Sequence, residues 1–209
     1  MKIIKTYALS EKTLEKDIDK FIREARRERF SYDYKYGGEG LKILKAYFRM
    51  IEEELLKKNY AECRICYKKL LYLIIPREYD YFNYTDILSK FNAEKVIVNY
   101  FDCLIKICNV EELFSEWDAF LKLDEDLYFD SINKAIFSGL SSNDLDKFKS
   151  MAKNVLKSLS KDDDYEAYIY VFFLLDYAKY KKDKKEYFRL CDEYDESIDG
   201  KEWKKKYDN

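Results

Sequence analysis

A pattern of apolar residues around three polar turns constrains the fold of this chain more than any other feature. The turns lie near Asn59, Asn109 and Asp183. Apolar residues precede each turn by 12, 11 and 8 positions and follow it by 4, 8 and 11 positions. These spacings place them on one face of a helix. The residues at these positions are Tyr47, Phe48, Ile51, Cys63, Tyr67 and Leu70; Ile97, Val98, Phe101, Leu113, Trp117 and Phe120; and Val171, Phe172, Leu175, Tyr187, Cys191 and Tyr194.

The pattern predicts a helical hairpin at each turn. A hairpin cannot bury its apolar stripe alone, so hairpins of this kind stack on one another. The 209 residues include one proline and five glycines, which leaves little room for long loops or β-hairpins. We therefore predict an all-α protein: an irregular array of helical hairpins forming an α/α superhelix of about ten helices.

The sequence shows no boundary of the kind that separates domains, so a single domain over residues 1–209 is expected, with short connectors near 30–40 and 76–83. The first helix is expected to run from an N-cap at Ser10 to about Arg29. Gly139 is placed to end a later helix in the left-handed conformation. The last main helix is expected over 184–198, before Gly200 breaks it. The Gly37–Gly40 stretch fits either an anion-binding loop or a flexible connector, and Glu39, which would repel phosphate, favours the connector.

One junction resembles a known repeat family. The string KKNYAECRICYKKLL, residues 57–71, resembles the junction of tetratricopeptide-type repeats. In that family a small polar turn, an aromatic residue and an alanine start the second helix, and Asn59, Tyr60 and Ala61 match these here. The resemblance implies a scaffold whose concave face holds a peptide, a protein or a nucleic acid. HEAT-like packing is the alternative arrangement.

The absence of histidine narrows the chemistry. It excludes Ser-His and Cys-His nucleophile pairs, imidazole zinc sites and histidine pH switches. The Cys63-x-x-Cys66 spacing would let two thiols share a metal or a redox role, but both fall on or beside the apolar stripe, which favours the core. We expect no metal, no cofactor and no catalytic residue; an enzyme using lysine, tyrosine or carboxylates is the remaining alternative.

Charge and hydropathy give no sign of a membrane protein. The net charge is −2 with 38% charged residues, which indicates a mixed-sign surface. Residues 1–10 lack the apolar core of a signal peptide. The longest apolar run, residues 168–175, is shorter than the ~20 residues a membrane span needs. We expect a cytoplasmic protein, with this run in the core or, alternatively, in an oligomer interface.

The region from Arg23 to Tyr36 is the candidate binding site. Arginines interleaved with tyrosines suit phosphate contacts with base stacking, or an acidic partner. A solvated helix face followed by a packed, tyrosine-rich loop is the competing interpretation, with Asp19 pairing with Arg23 and Glu24 with Arg27. The candidate residues are Arg23, Arg26, Arg27, Arg29, Tyr32, Tyr34 and Tyr36.

These observations favour a non-catalytic scaffold or adaptor that binds a protein or peptide partner. Nucleic-acid binding through Arg23–Tyr36 is the alternative. The sequence does not determine the partner or the oligomeric state.

Overall fold

A computed structural model describes residues 13–30, 37–76, 81–82, 87–124, 130–159, 164–195 and 198–207. Within these ranges there are ten α-helices, one short 3₁₀-helix and no strand, which confirms the all-α prediction of about ten helices. In this part of the chain, none of the helices has both the length and the apolar character required to span a membrane.

The chain forms two compact units, Met1–Ile107 and Cys108–Asn209. The expectation of one domain over the whole chain stays a prediction. The first unit contains α1 (Leu14–Arg26), α2 (Gly37–Leu56), α3 (Tyr60–Ile74), the 3₁₀-helix (Leu88–Lys90) and α4 (Ala93–Ile107). The second contains α5 (Val110–Leu121), α6 (Asp130–Gly139), α7 (Ser142–Ser158), α8 (Asp164–Tyr180), α9 (Lys184–Glu193) and α10 (Gly200–Lys205).

The three predicted turns are confirmed, because Asn59, Asn109 and Asp183 each occupy the N-cap of the following helix. Asn109 forms a complete capping box: its side chain accepts a hydrogen bond from the Glu112 amide at 2.9 Å, and the Glu112 carboxylate accepts one from the Asn109 amide at 3.2 Å. The Asp183 carboxylate accepts one from the Glu186 amide at 3.0 Å. Asn59 makes no such side-chain cap.

The turns after α1, α2 and α8 are tight although they contain no glycine. Glu28, Lys58 and Lys182 follow these helices with φ angles of 62°, 65° and 56°. After α2, the Asn59 amide donates to the Glu54 carbonyl at 3.2 Å and the Lys58 amide to the Leu55 carbonyl at 2.8 Å. This is the Schellman arrangement usually made with glycine. Charged residues therefore adopt the left-handed conformation that lets each chain segment reverse.

The predicted apolar stripes form the cores. Of the 18 stripe residues, Val98, Phe172 and Tyr194 are half-buried and the other fifteen are buried. In the first unit α3 is central and packs against α1, α2 and α4. The Phe21 ring contacts those of Phe30, Tyr47 and Phe82 at centroid distances of 5.3–5.7 Å and joins α1 to α2.

In the second unit α8 is central and packs against α6, α7 and α9. The apolar run of residues 168–175 lies in this helix. Its fully buried Phe173 ring is 5.2 Å from the Trp117 ring and 5.1 Å from the Phe148 ring. The core prediction for the run is therefore confirmed.

The connector expected at Gly37–Gly40 is wrong, because these residues form the first turn of α2. A β-carbon on Gly40 would lie 2.7 Å from Cδ1 of Phe82 and 3.0 Å from the Phe30 side chain. Glycine is needed here for close packing of the helix start on two aromatic rings, and no flexible loop is formed.

Other helices also begin or end at residues different from those predicted. The cap of α1 is Thr13, whose hydroxyl accepts from the Lys16 amide at 3.3 Å, and α1 ends at Arg26; Ser10 lies outside the described residues. Gly139 is the last helical residue of α6 and has no positive φ. Helix α9 ends at Glu193, and Gly200 begins α10. Gly200 is packed so closely that an added β-carbon would lie 2.2 Å from the Cys191 carbonyl oxygen.

Candidate functional site

The four candidate arginines lie at the end of α1. Arg23 and Arg26 are in its last turn, Arg27 is its C-cap, and Arg29 follows the left-handed Glu28. All four are exposed. The candidate tyrosines Tyr32, Tyr34 and Tyr36 lie outside the described residues.

The ion pairs predicted for these arginines do not form. Asp19 instead accepts from Lys69 on α3 at 2.7 Å. The Glu24 carboxylate forms its ion pair with Arg29 at 2.8 Å, and the ion pair expected between Glu24 and Arg27 is absent. Within the ranges that the structure describes, Arg23, Arg26 and Arg27 therefore have no carboxylate partner. The exposure expected of a solvated helix face is confirmed for these arginines. The pairing expected for Asp19 is wrong because Lys69, 50 residues away, binds this carboxylate instead.

A groove of about 520 Å³ lies between α2 and α4 in the first unit. Both helices pack against α3, and Tyr67 of α3 forms part of the floor of the groove. Helix α2 contributes four residues at positions i, i+3, i+4 and i+7, and Asn92 with three residues of α4 repeats this spacing, which is that of one helical face. The lining residues are Lys45, Phe48, Arg49 and Glu52 of α2; Tyr67 of α3; Phe91 and Asn92 before α4; and Lys95, Val96 and Asn99 of α4.

The floor of the groove is apolar with one polar group in it. The Phe48 ring lies 5.1 Å from the Phe91 ring and 6.3 Å from the Tyr67 ring. Tyr67 is buried, and its hydroxyl accepts a hydrogen bond from the Asn99 amide at 3.3 Å. Burial raises the pKa of Tyr67, so the hydroxyl stays protonated. Its own proton has no acceptor in the described ranges and is available to a ligand.

The rim of the groove carries an excess of positive charge. Lys95 of α4 forms an ion pair with Glu52 of α2, the one carboxylate among the described lining residues. Neither Lys45 nor Arg49 has a carboxylate partner in the described part of the chain. Arg49 Nε donates only to the Lys45 carbonyl, at 3.4 Å. Two cations four residues apart repel each other by a few tenths of a kcal/mol. An anionic group bound between them would remove that repulsion.

Sequence reasoning missed this groove. Lys45, Phe48, Arg49 and Glu52 share a helical face next to the predicted stripe, and Asn92, Lys95, Val96 and Asn99 repeat the same spacing. A second, mixed polar and apolar face beside each stripe is the signal that would have indicated it. The packing of α4 against α3 beside α2 was not visible in the sequence, because the hydrogen bond between Asn99 and Tyr67 joins residues 32 positions apart.

The Cys-x-x-Cys pair belongs to the core, as predicted. Cys63 and Cys66 are both buried. The Cys63 thiol donates to the Ile51 carbonyl at 3.5 Å, and burial raises the pKa of Cys66 to about 12. No group of three or more cysteine, aspartate or glutamate side chains placed to hold a metal occurs among the residues whose positions are described.

The described part of the chain is that of an all-α protein. Comparison of the chain with family models, with curated proteins and with solved structures gives no match. The resemblance to tetratricopeptide repeats stays a prediction.

Proposed function

We propose that this protein is a non-catalytic scaffold that binds a segment of a partner protein in the groove between α2 and α4. The observation that carries the proposal is the combination of an apolar floor with two cations, Lys45 and Arg49, that lack carboxylate partners in the described ranges. Its volume of about 520 Å³ falls in the range of known ligand sites. The groove offers hydrogen-bond donors and apolar surface, which suit the binding of a peptide segment.

The groove chemistry selects an extended acidic segment with one apolar anchor. The Arg49 guanidinium would bind an aspartate or glutamate in a bidentate manner, with Lys45 adding a second positive charge. An aromatic or aliphatic side chain next to that carboxylate would pack on Phe48 and Phe91. A backbone carbonyl of the segment would accept a hydrogen bond from the Tyr67 hydroxyl.

Tetratricopeptide-type or HEAT-like stacking would extend such a groove along the chain. The shared cap positions at Asn59, Asn109 and Asp183, and the buried stripes on both sides of each, support a repeated hairpin. We include this superhelical arrangement, and a cytoplasmic location, in the proposal.

A peptide-display selection against the full-length protein tests the proposed binding. The expected peptides carry an acidic residue within a few positions of an aromatic or aliphatic one. The Lys45→Glu/Arg49→Glu variant should bind them at least about ten-fold more weakly, because each lost charge contact contributes ~1 kcal/mol or more.

Lys42→Glu/Lys106→Glu is the matched control, since it makes the same change in net charge at exposed positions outside the groove lining. It should bind within about two-fold of the unchanged protein. Peptides with no acidic residue, or equal losses in both variants, would contradict the proposal.

The exposure of Arg23, Arg26 and Arg27 favours nucleic-acid binding as the second candidate function. These side chains have no ion-pair partner in the described ranges, and this supports a role in contacting phosphates. Salt-sensitive binding of an oligonucleotide that is lost in Arg23→Ala/Arg27→Ala would support this candidate, and no binding at low salt would remove it.

A further inference from the structure

The second unit concentrates its positive charge in two short segments. Residues 108–209 carry 17 lysines and arginines against 24 aspartates and glutamates. Nine of the 17 cations are lysines within residues 179–185 and 201–206, where the acidic residues number only two, Asp183 and Glu202. An acidic unit thus has a strongly basic portion.

The fold brings these two segments together. Lys179 Nζ at the end of α8 donates to the Lys206 carbonyl after α10 at 2.9 Å. Lys184 Nζ at the start of α9 lies 5.3 Å from the centre of the Tyr207 ring. The basic ends of three helices therefore meet in one surface, which we call the lysine surface. Its members are Lys179, Lys181, Lys182, Lys184, Lys185 and Lys206.

Three lysines of this surface have no acidic partner among the described residues. The Asp183 carboxylate accepts from the Glu186 amide as a helix cap. The neighbouring lysines Lys204 and Lys205 have their own partners, Asp192 and Glu202. Lys181, Lys182 and Lys185 are exposed and have no carboxylate partner in the ranges that are described.

Aromatic rings lie within the lysine surface. Tyr180 is 50% exposed, although one side of its ring packs on Phe137 at a centroid distance of 5.1 Å. Trp203 is half-buried, packs on Phe172 at 4.7 Å and has Lys206 Nζ 4.4 Å from its ring centre. Lys181 Nζ lies 5.8 Å from the centre of the Tyr180 ring, which places this ring among the lysines. Its exposed half offers an area on which a planar group would stack.

We propose that the lysine surface binds single-stranded nucleic acid. Lysines without partners attract phosphates regardless of sequence, and binding releases counterions from the strand. An exposed ring among them favours a strand with unpaired bases, because bases stack on aromatic side chains. An acidic polypeptide would satisfy the charges and leave the Tyr180 ring without a stacking partner. This activity is separate from peptide binding in the groove of the first unit.

Fluorescence anisotropy with a labelled oligothymidine and the full-length protein tests this proposal. Raising monovalent salt from about 50 mM to about 200 mM should weaken binding about 20-fold or more if three or more phosphates are contacted. Lys181→Gln/Lys182→Gln/Lys185→Gln should weaken binding at low salt at least about ten-fold and reduce the salt dependence. Tyr180→Leu should weaken it about five-fold or more through lost stacking.

Two controls make the result specific to this surface. Lys134→Gln/Lys147→Gln/Lys157→Gln changes net charge equally on α6 and α7 and should leave affinity within about two-fold. Arg23→Ala/Arg26→Ala/Arg27→Ala should also retain binding. Far-ultraviolet circular dichroism confirms that each variant is folded.

Three outcomes would overturn the proposal: no anisotropy change at low salt, an equal loss in the lysine variant and its control, or a loss in the arginine variant alone. Binding of polyglutamate but not of oligothymidine would also overturn it and would assign the surface to an acidic protein.

Discussion

At the scale of single residues, burial determines which side chains are able to react or bind. Four of the five cysteines are buried, and Cys108 alone is partly exposed. Burial raises the pKa of Cys66 to about 12 because the thiolate loses its hydration. The thiolate is the reactive form of cysteine, so Cys66 is unreactive. Burial also keeps a reagent from Cys63, Cys103 and Cys191, so the four buried thiols have a core role.

We predict that a disulfide reagent at about pH 8 modifies one thiol rapidly in the folded protein and the other four only on unfolding. Colorimetric titration with and without denaturant measures this directly. Cys108→Ser should abolish the rapid phase and leave four slow thiols. Two or more rapidly reacting thiols in the unchanged protein would contradict the burial of Cys63, Cys66, Cys103 and Cys191 in this structure.

Residue-level prediction from sequence succeeded where the signal was local. Helical periodicity correctly indicated a solvated face with Arg23, Arg26 and Arg27, because exposure on a helix repeats with its turns. It assigned Asp19 and Glu24 to the wrong partners, since Lys69 reaches Asp19 from another helix and the left-handed turn at Glu28 brings Arg29 to Glu24. Partner choice depends on tertiary packing and turn geometry, which one sequence does not display.

At the scale of elements, the backbone conformation at the ends of the helices sets the turns between them. Lys58 and Lys182 adopt left-handed φ angles of 65° and 56°. A side chain in this conformation costs about 1–2 kcal/mol relative to the right-handed region, because its β-carbon crowds the following carbonyl. The Schellman hydrogen bonds and the packing of the next helix offset this cost.

We predict that Lys58→Gly raises the free energy of unfolding by about 0.5–1 kcal/mol, because glycine adopts the left-handed conformation without strain. Urea denaturation followed by circular dichroism measures the change. Lys42→Gly, at an exposed position inside α2, should lower stability by about the same amount. A loss of stability in both variants would mean that Lys58 does not adopt the left-handed conformation.

Element-level prediction was accurate where turn and stripe agreed. Helices α3 and α5 begin directly after the predicted turns at Asn59 and Asn109, because these two residues occupy the N-caps. Prediction failed at Gly37–Gly40, where the glycines indicated a connector, and it placed the end of α9 near residue 198 instead of at Glu193. Gly40 lies in a helix start packed against two aromatic rings, and close approach of that kind leaves no trace in local sequence.

At the scale of the whole molecule, charge divides between the two units. Residues 1–107 carry 22 lysines and arginines against 17 acidic residues, whereas residues 108–209 carry 17 against 24. The two opposite values nearly cancel in the net charge of −2. For this reason the sequence analysis inferred a surface of mixed sign and did not detect the difference between the units. The groove thus lies in a positively charged unit, which suits the acidic ligand proposed for it.

The central claim is that the groove between α2 and α4 holds a protein partner. Site-specific photocrosslinking in lysate of the native host tests it most directly. Val96→p-benzoylphenylalanine places the reactive group in the groove lining, and Ile65→p-benzoylphenylalanine places it on α3 at a side chain that is 41% exposed and outside that lining. We predict a discrete protein adduct from position 96 that Lys45→Glu/Arg49→Glu removes, and none from position 65. An adduct from position 65 alone, or one at position 96 that the charge reversal leaves unchanged, would contradict the claim.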